Sequence, residues 1–163
     1  MDFFYADAND IDTLIEGFNA KTLPKEQWTH AAHLTGAVWY LRKYNFEQAL
    51  QQIRIAITTY NIAVGGQNTA TSGYHETMTV FWMQVVDFFV RTHQAFDLRE
   101  CCNALLASPL AERTLPFYFY EKDTILSQQA RAAFVPADKL AVNDDNLGMM
   151  LKKNGILLNS ESV

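Results

Sequence analysis

Two histidines stand one turn apart in QWTHAAHLTGAVWYL, the stretch from Gln27 to Leu41. A third, His75, stands beside Glu76 in NTATSGYHETMTVFW. A neutral imidazole is a common metal ligand because it offers a lone pair without bringing a charge out of water. Residues three or four apart share a helix face, so His30 and His33 point the same way, together with Ala37 and Leu41. The pair resembles half of H-E-x-x-H, with shorter spacing and no Glu between the two. Three histidines with an open coordination position make a zinc site of the catalytic type, and an added carboxylate suits iron or manganese. The pattern predicts a divalent metal ion (Zn, Fe or Mn) held by His30, His33 and His75. Such an ion would lower the pKa of bound water toward about 7 and supply hydroxide. Hydrolysis of a small-molecule substrate is the default chemistry. Glu76 would orient the water or take its proton, and Tyr74 would contact the ligands or the substrate.

A different reading needs no metal. A helical histidine is more often a hydrogen-bonded residue of the core or its boundary. The chain is then a non-enzymatic helical binding or interaction protein, whose histidines form a buried network with Glu76 and Asn or Thr partners. His93, at the end of its helix, is accounted for by the helix dipole. Asn68, Thr71 and Ser72 serve as loop and cap chemistry or as a pocket mouth. Arg113, Lys122 and Arg131 are single basic residues, solvated or anion-binding. Trp28, Trp39 and Trp82 belong to the core or its edge.

Helices must position these groups. Ile11, Leu14, Ile15 and Phe18 form one helical stripe behind a cap at Asp10, and Pro24 closes that region. Thr29 caps the helix that carries His30 and His33. Asn45 caps the next, with Gln48 as its capping-box partner. VGGQNTATSG is a loop, and Ser72 caps the apolar helix that carries His75. Asp97 and Glu100 form a capping box, and Ser108-Pro109 restarts the chain. LPFYFYEKD reads as extended. Asp123 or Ser127 caps a last helix that Pro136 stops. Residues 141–163 have weak periodicity and read as a surface-wrapping or frayed tail. The expected fold is all-α, one domain over 1–163, a bundle of five or six helices with short loops and a partly irregular C-terminal tail.

Composition agrees with a globular chain: 163 residues, 49% hydrophobic and 19% charged. A net charge of -5 argues against nucleic-acid binding. The acidic start lacks a basic signal-peptide region and no apolar run is long enough for a membrane span, so a cytoplasmic location is expected. The adjacent Cys101 and Cys102 lack metal or redox spacing and read as packing residues.

Three blocks, EQWTHAAHLTGAVWYL, YNIAVGGQNTATSGYHETMTVFW and YEKDTILSQQARAAFV, resemble a family of uncharacterised bacterial proteins. Its motifs read W-T-H-x-A-H-L, then N-T-x-T-x-G-Y-H-E-T, then a Y-S-R-like segment before an A-R. The resemblance spans Glu26 to Val135. In the third block Glu121 and Lys122 occupy the Ser-Arg positions. The resemblance implies a shared site and no particular reaction. The layout is also similar to the DinB-like bundles, which place three histidines around a metal, by architecture and without a motif match. If the metal reading holds, the ring nitrogens of His30, His33 and His75 converge, each about 2.0–2.1 Å from a zinc-like ion.

Overall fold

A computed structural model of the chain describes residues 4–160, with side chains over 4–152. Among the described residues the regular structure is entirely helical. Six helices are long: α1 (Ala8–Asn19), α2 (His30–Lys43), α3 (Phe46–Ala63), α4 (Glu76–Thr92), α5 (Leu98–Leu106) and, last in the chain, α9 (Asp144–Ser160). Between α5 and α9 lie three short ones: α6 (Pro116–Phe119), α7 (Lys122–Ile125) and α8 (Gln128–Ala132). Two 3-10 turns, Lys25–Gln27 and Pro109–Ala111, precede α2 and α6.

α2 runs through the middle, against α3, α4 and α5. Its buried residues, Leu34, Ala37, Val38 and Tyr40 among them, face three ways, as befits a central helix. α4 supplies the largest apolar surface, with Phe81, Phe88 and Phe89 in the core. Fully burying a side chain of this size contributes on the order of 2 kcal/mol. Leu147 and Met150 of α9 are buried too, and Arg91 reaches from α4 to Asp144 with two bonds of 2.9 and 3.0 Å. No helix among the described residues is long and apolar enough to cross a membrane.

Several caps stand where local chemistry places them. Thr29 accepts from Ala32 N, Asn45 accepts from Gln48 N, and Asp97 and Glu100 form a reciprocal box. Ser127, rather than Asp123, caps α8. Two caps differ from expectation. α1 begins earlier: Asp7 is the cap and Asp10 its box partner, because both acids sit at a helix start and the upstream one is reached first. α4 begins at Glu76, and its cap is His75, not Ser72. Ser72 is instead spent inside the loop, where its carbonyl accepts from Thr69 N.

LPFYFYEKD is not extended. Pro116 opens α6, its carbonyl accepts from Tyr120 N, and Glu121 O accepts from Ile125 N. Alternate burial is absent; Phe119, Tyr120 and Ile125 are buried and Tyr118 is exposed, a helical rather than a period-two pattern. Cys101 and Cys102 are buried free thiols on α5. Burial, and then the neighbouring Cys101, push the Cys102 thiol up to about 12.

Thr77 is fully buried near the start of α4 and clamps the segment after α8. Its hydroxyl donates to Ala133 O at 3.0 Å and accepts from Val135 N at 3.0 Å. Val fills the same space but leaves both backbone groups unpaired. Thr77→Val is therefore expected to lower unfolding stability by about 1–3 kcal/mol, measured by urea titration, and Thr77→Ser by less. A Val variant as stable as the parent would contradict the clamp.

Candidate functional site

The start of α2, the second half of α3, the loop of residues 64–75 and the start of α4 enclose a cavity of about 690 Å³. Leu34, Ala37, Ile53, Ile57, Met78 and Met83 form its apolar walls. His30, His33 and His75 all line it. Trp82 meets the His30 ring edge-on at 4.8 Å. Trp28 lies between rings: stacked on Phe18 at 3.8 Å on one side and 4.3 Å from His33 on the other. Its Nε1 is a buried donor without a partner among the described residues.

Each imidazole is fixed by a backbone carbonyl. A carbonyl can only accept, so the nitrogen that meets it carries the proton. His30 Nε2–H donates to Ala111 O at 2.9 Å. His33 Nδ1–H donates to Thr29 O at 2.7 Å. His75 Nε2–H donates to Ile125 O at 2.8 Å, while its Nδ1 accepts from Met78 N at 3.2 Å as the α4 cap. His75 performs both tasks only when neutral. Among the described residues His30 Nδ1 and His33 Nε2 have no partner, and neither is sealed from solvent.

These bonds bear directly on the expected ligand set. The three histidines share one cavity, but His75 has no lone pair to give, because both ring nitrogens are engaged by backbone. Among the described residues no three His, Cys, Asp or Glu side chains gather as a metal ion requires. In this arrangement His30 and His33 each keep one nitrogen open, and His75 would have to release Met78 N to join them.

Glu76 does not serve the cavity either. Its carboxylate is held by Arg54 of α3 through both oxygens, one of them 3.1 Å from Nε, and it accepts from Tyr74 Oη at 2.6 Å. Burial alone would raise the Glu76 pKa; the bonds from Arg54 and Tyr74 outweigh it and hold the carboxyl below its ordinary value. Burial, and then the bond to Glu76, push the Tyr74 phenol well above its ordinary value. Held by a guanidinium and a phenol, the ionised acid acts as a strut between α3 and the start of α4.

The strut is one of three devices that order the loop. The second is Asn68, whose Oδ1 accepts from Asn61 Nδ2 and Tyr74 N at 2.9 and 3.0 Å while its Nδ2 donates to Thr58 O at 2.9 Å. Gly73 passes beneath it at φ +78, where a Cβ would collide with the Gln67 carbonyl oxygen. Arg131 then donates to the carbonyls of Gly73 and Tyr74. Arg54 carries no sequence signal and Arg131 only that of a single basic residue, because their partners lie 22 and 58 residues away.

No protein-family model, curated protein or solved structure matches the chain.

Burial lowers all three cavity imidazole pKa values, and that of His33 is pushed from 6.5 down to about 4; backbone acceptance at Thr29 opposes this, and the charges of His30 and Arg113 add to it. On acidification the unfolded chain takes up protons first. Stability is therefore fully present above about 6.5 and falls as pH drops toward about 4, by at most about 3 kcal/mol for His33. His33→Gln is expected to flatten the pH dependence of the melting temperature across that window. A variant as pH-sensitive as the parent would remove His33 as its source.

Proposed function

We propose that the chain is a small-molecule-binding protein whose ligand occupies the cavity between α2, α3, α4 and the 64–75 loop. One observation supports this above the rest: a concavity of about 690 Å³ with apolar walls and a few polar groups held in place by backbone bonds. Small-molecule sites commonly span about 300–1,000 Å³ with this kind of lining. In this reading the histidines are oriented hydrogen-bonding groups. His30 and His33 accept from the ligand, and His75 shapes the wall. The blocks that resemble the uncharacterised bacterial family supply much of this wall: Trp28 to Leu34, Gly73 to His75, and Arg131 behind the loop. The pocket is what such a family would share.

A metal-dependent hydrolase is the second reading, favoured by the open nitrogens of His30 and His33. Those two would hold a zinc, iron or manganese ion, which supplies bound hydroxide when present. His75 would join only by releasing Met78, and Glu76 would act only by leaving Arg54.

The neutral fluorophore N-phenyl-1-naphthylamine separates the readings on protein purified without nickel resin. Saturable binding is expected. It is expected to be lost in Ala37→Phe and in Ile57→Trp, which fill the cavity from two helices, with the helical circular dichroism retained. A folded parent that does not bind the probe overturns the proposal. Elemental analysis of the same sample addresses the second reading: stoichiometric metal that disappears in a folded His33→Ala variant would favour the hydrolase instead.

A further inference from the structure

The cavity has a charge character opposite to that of the chain. The chain carries 18 Asp and Glu against 13 Lys and Arg. Yet among the described residues no carboxylate lines the cavity, and the two full charges that do are the cations Lys25 and Arg113. Neither forms an ion pair among the described residues, whose ion pairs use Arg54 and Arg91. Both lie toward the end of the cavity where α2 begins. Lys25 opens the 3-10 turn just before that helix, and the charge of Arg113 is felt by His30 and His33 in its first turn. The first turns of α2 and α4 both contribute lining residues, His30 and His33 from one and Met78 and Thr79 from the other. Away from this end the lining is apolar: Ile53, Ile57, Met78 and Met83.

We infer that the ligand of this cavity is an amphiphile with one anionic head, a carboxylate or a phosphate monoester, set at the Arg113 and Lys25 end, and an apolar body against the α2, α3 and α4 walls. This rests on the binding reading above and specifies what is bound. The head finds two cations with no competing acid on the lining, so it need not displace an internal partner. The tail replaces water on surface that is costly to leave wet. The open nitrogens of His30 and His33 do not oppose the head, because a bridging water donates one proton to the imidazole nitrogen and the other to the anion.

Displacement of bound N-phenyl-1-naphthylamine tests this with four ligands of equal chain length, each below its micellar concentration: decanoate, decyl phosphate, decanol and decyltrimethylammonium. At least one anion is expected to bind about tenfold or more tighter than decanol, the scale of a charge-assisted contact. The cation is expected to bind weakest. The preferred anion identifies the head. In the Arg113→Gln, Lys25→Gln double variant, both sites being exposed, the preference is expected to collapse while decanol binding is unchanged. Decanol or the cation competing as well as both anions overturns the anionic head and leaves the binding reading standing. A preference that survives the double variant overturns the assignment of the head to this end. A parent protein that does not bind the probe at all removes the binding reading itself.

Discussion

Backbone carbonyls that no helix satisfies set the terms for everything around the cavity. An unpaired buried carbonyl costs free energy comparable to a lost hydrogen bond, so each needs a donor. Here imidazoles supply them. His30 ties the first turn of α2 to Ala111, across 81 residues of chain. His75 ties the start of α4 to Ile125, at the end of α7. His33 differs: it adds a second bond to the carbonyl of its own helix cap, which already accepts from the His33 amide. These bonds fix the tautomer of every ring, and the tautomers fix which nitrogen remains to meet a ligand. The walls of the cavity and the chemistry of its lining therefore have a single cause.

The strut between Arg54, Glu76 and Tyr74 has a complementary effect. It turns the Glu76 carboxylate toward Arg54 and neutralises it against α3. Loop order and pocket charge are coupled through this one carboxylate. Asn68 and Arg131 complete the loop from its two sides, so the wall carrying Tyr74 and His75 does not depend on any single bond.

What could be read from sequence follows the range of the interactions. Thr29, Asn45 and the Asp97–Glu100 box act within four residues, and their chemistry is visible in the local string. The all-helical fold follows from periodicity of the same range. The shared location of His30, His33 and His75 was legible from apolar helix faces. Their ring-nitrogen partners were not, since Ala111 and Ile125 contribute only carbonyls, which every residue has. The engagement of both His75 nitrogens by backbone therefore has no counterpart in the local string. His75 as a helix cap was missed for a related reason: imidazole is not among the favoured cap residues, and Ser72 nearby is. The Pro116–Ile125 segment was misread because aromatic residues favour strands, whereas here they fill a helical surface.

The vicinal thiols of α5 give the fold a chemical stopwatch. Thiolate is the reactive form of cysteine, and burial keeps Cys101 and Cys102 both covered and protonated. An alkylating reagent in solution therefore reacts only with chains in which α5 has separated from α2. Its rate counts openings of the core, not the nucleophilicity of either sulfur. The same shielding spares the native chain from sulfenic and sulfinic acid formation and confines oxidative damage to molecules that have already opened.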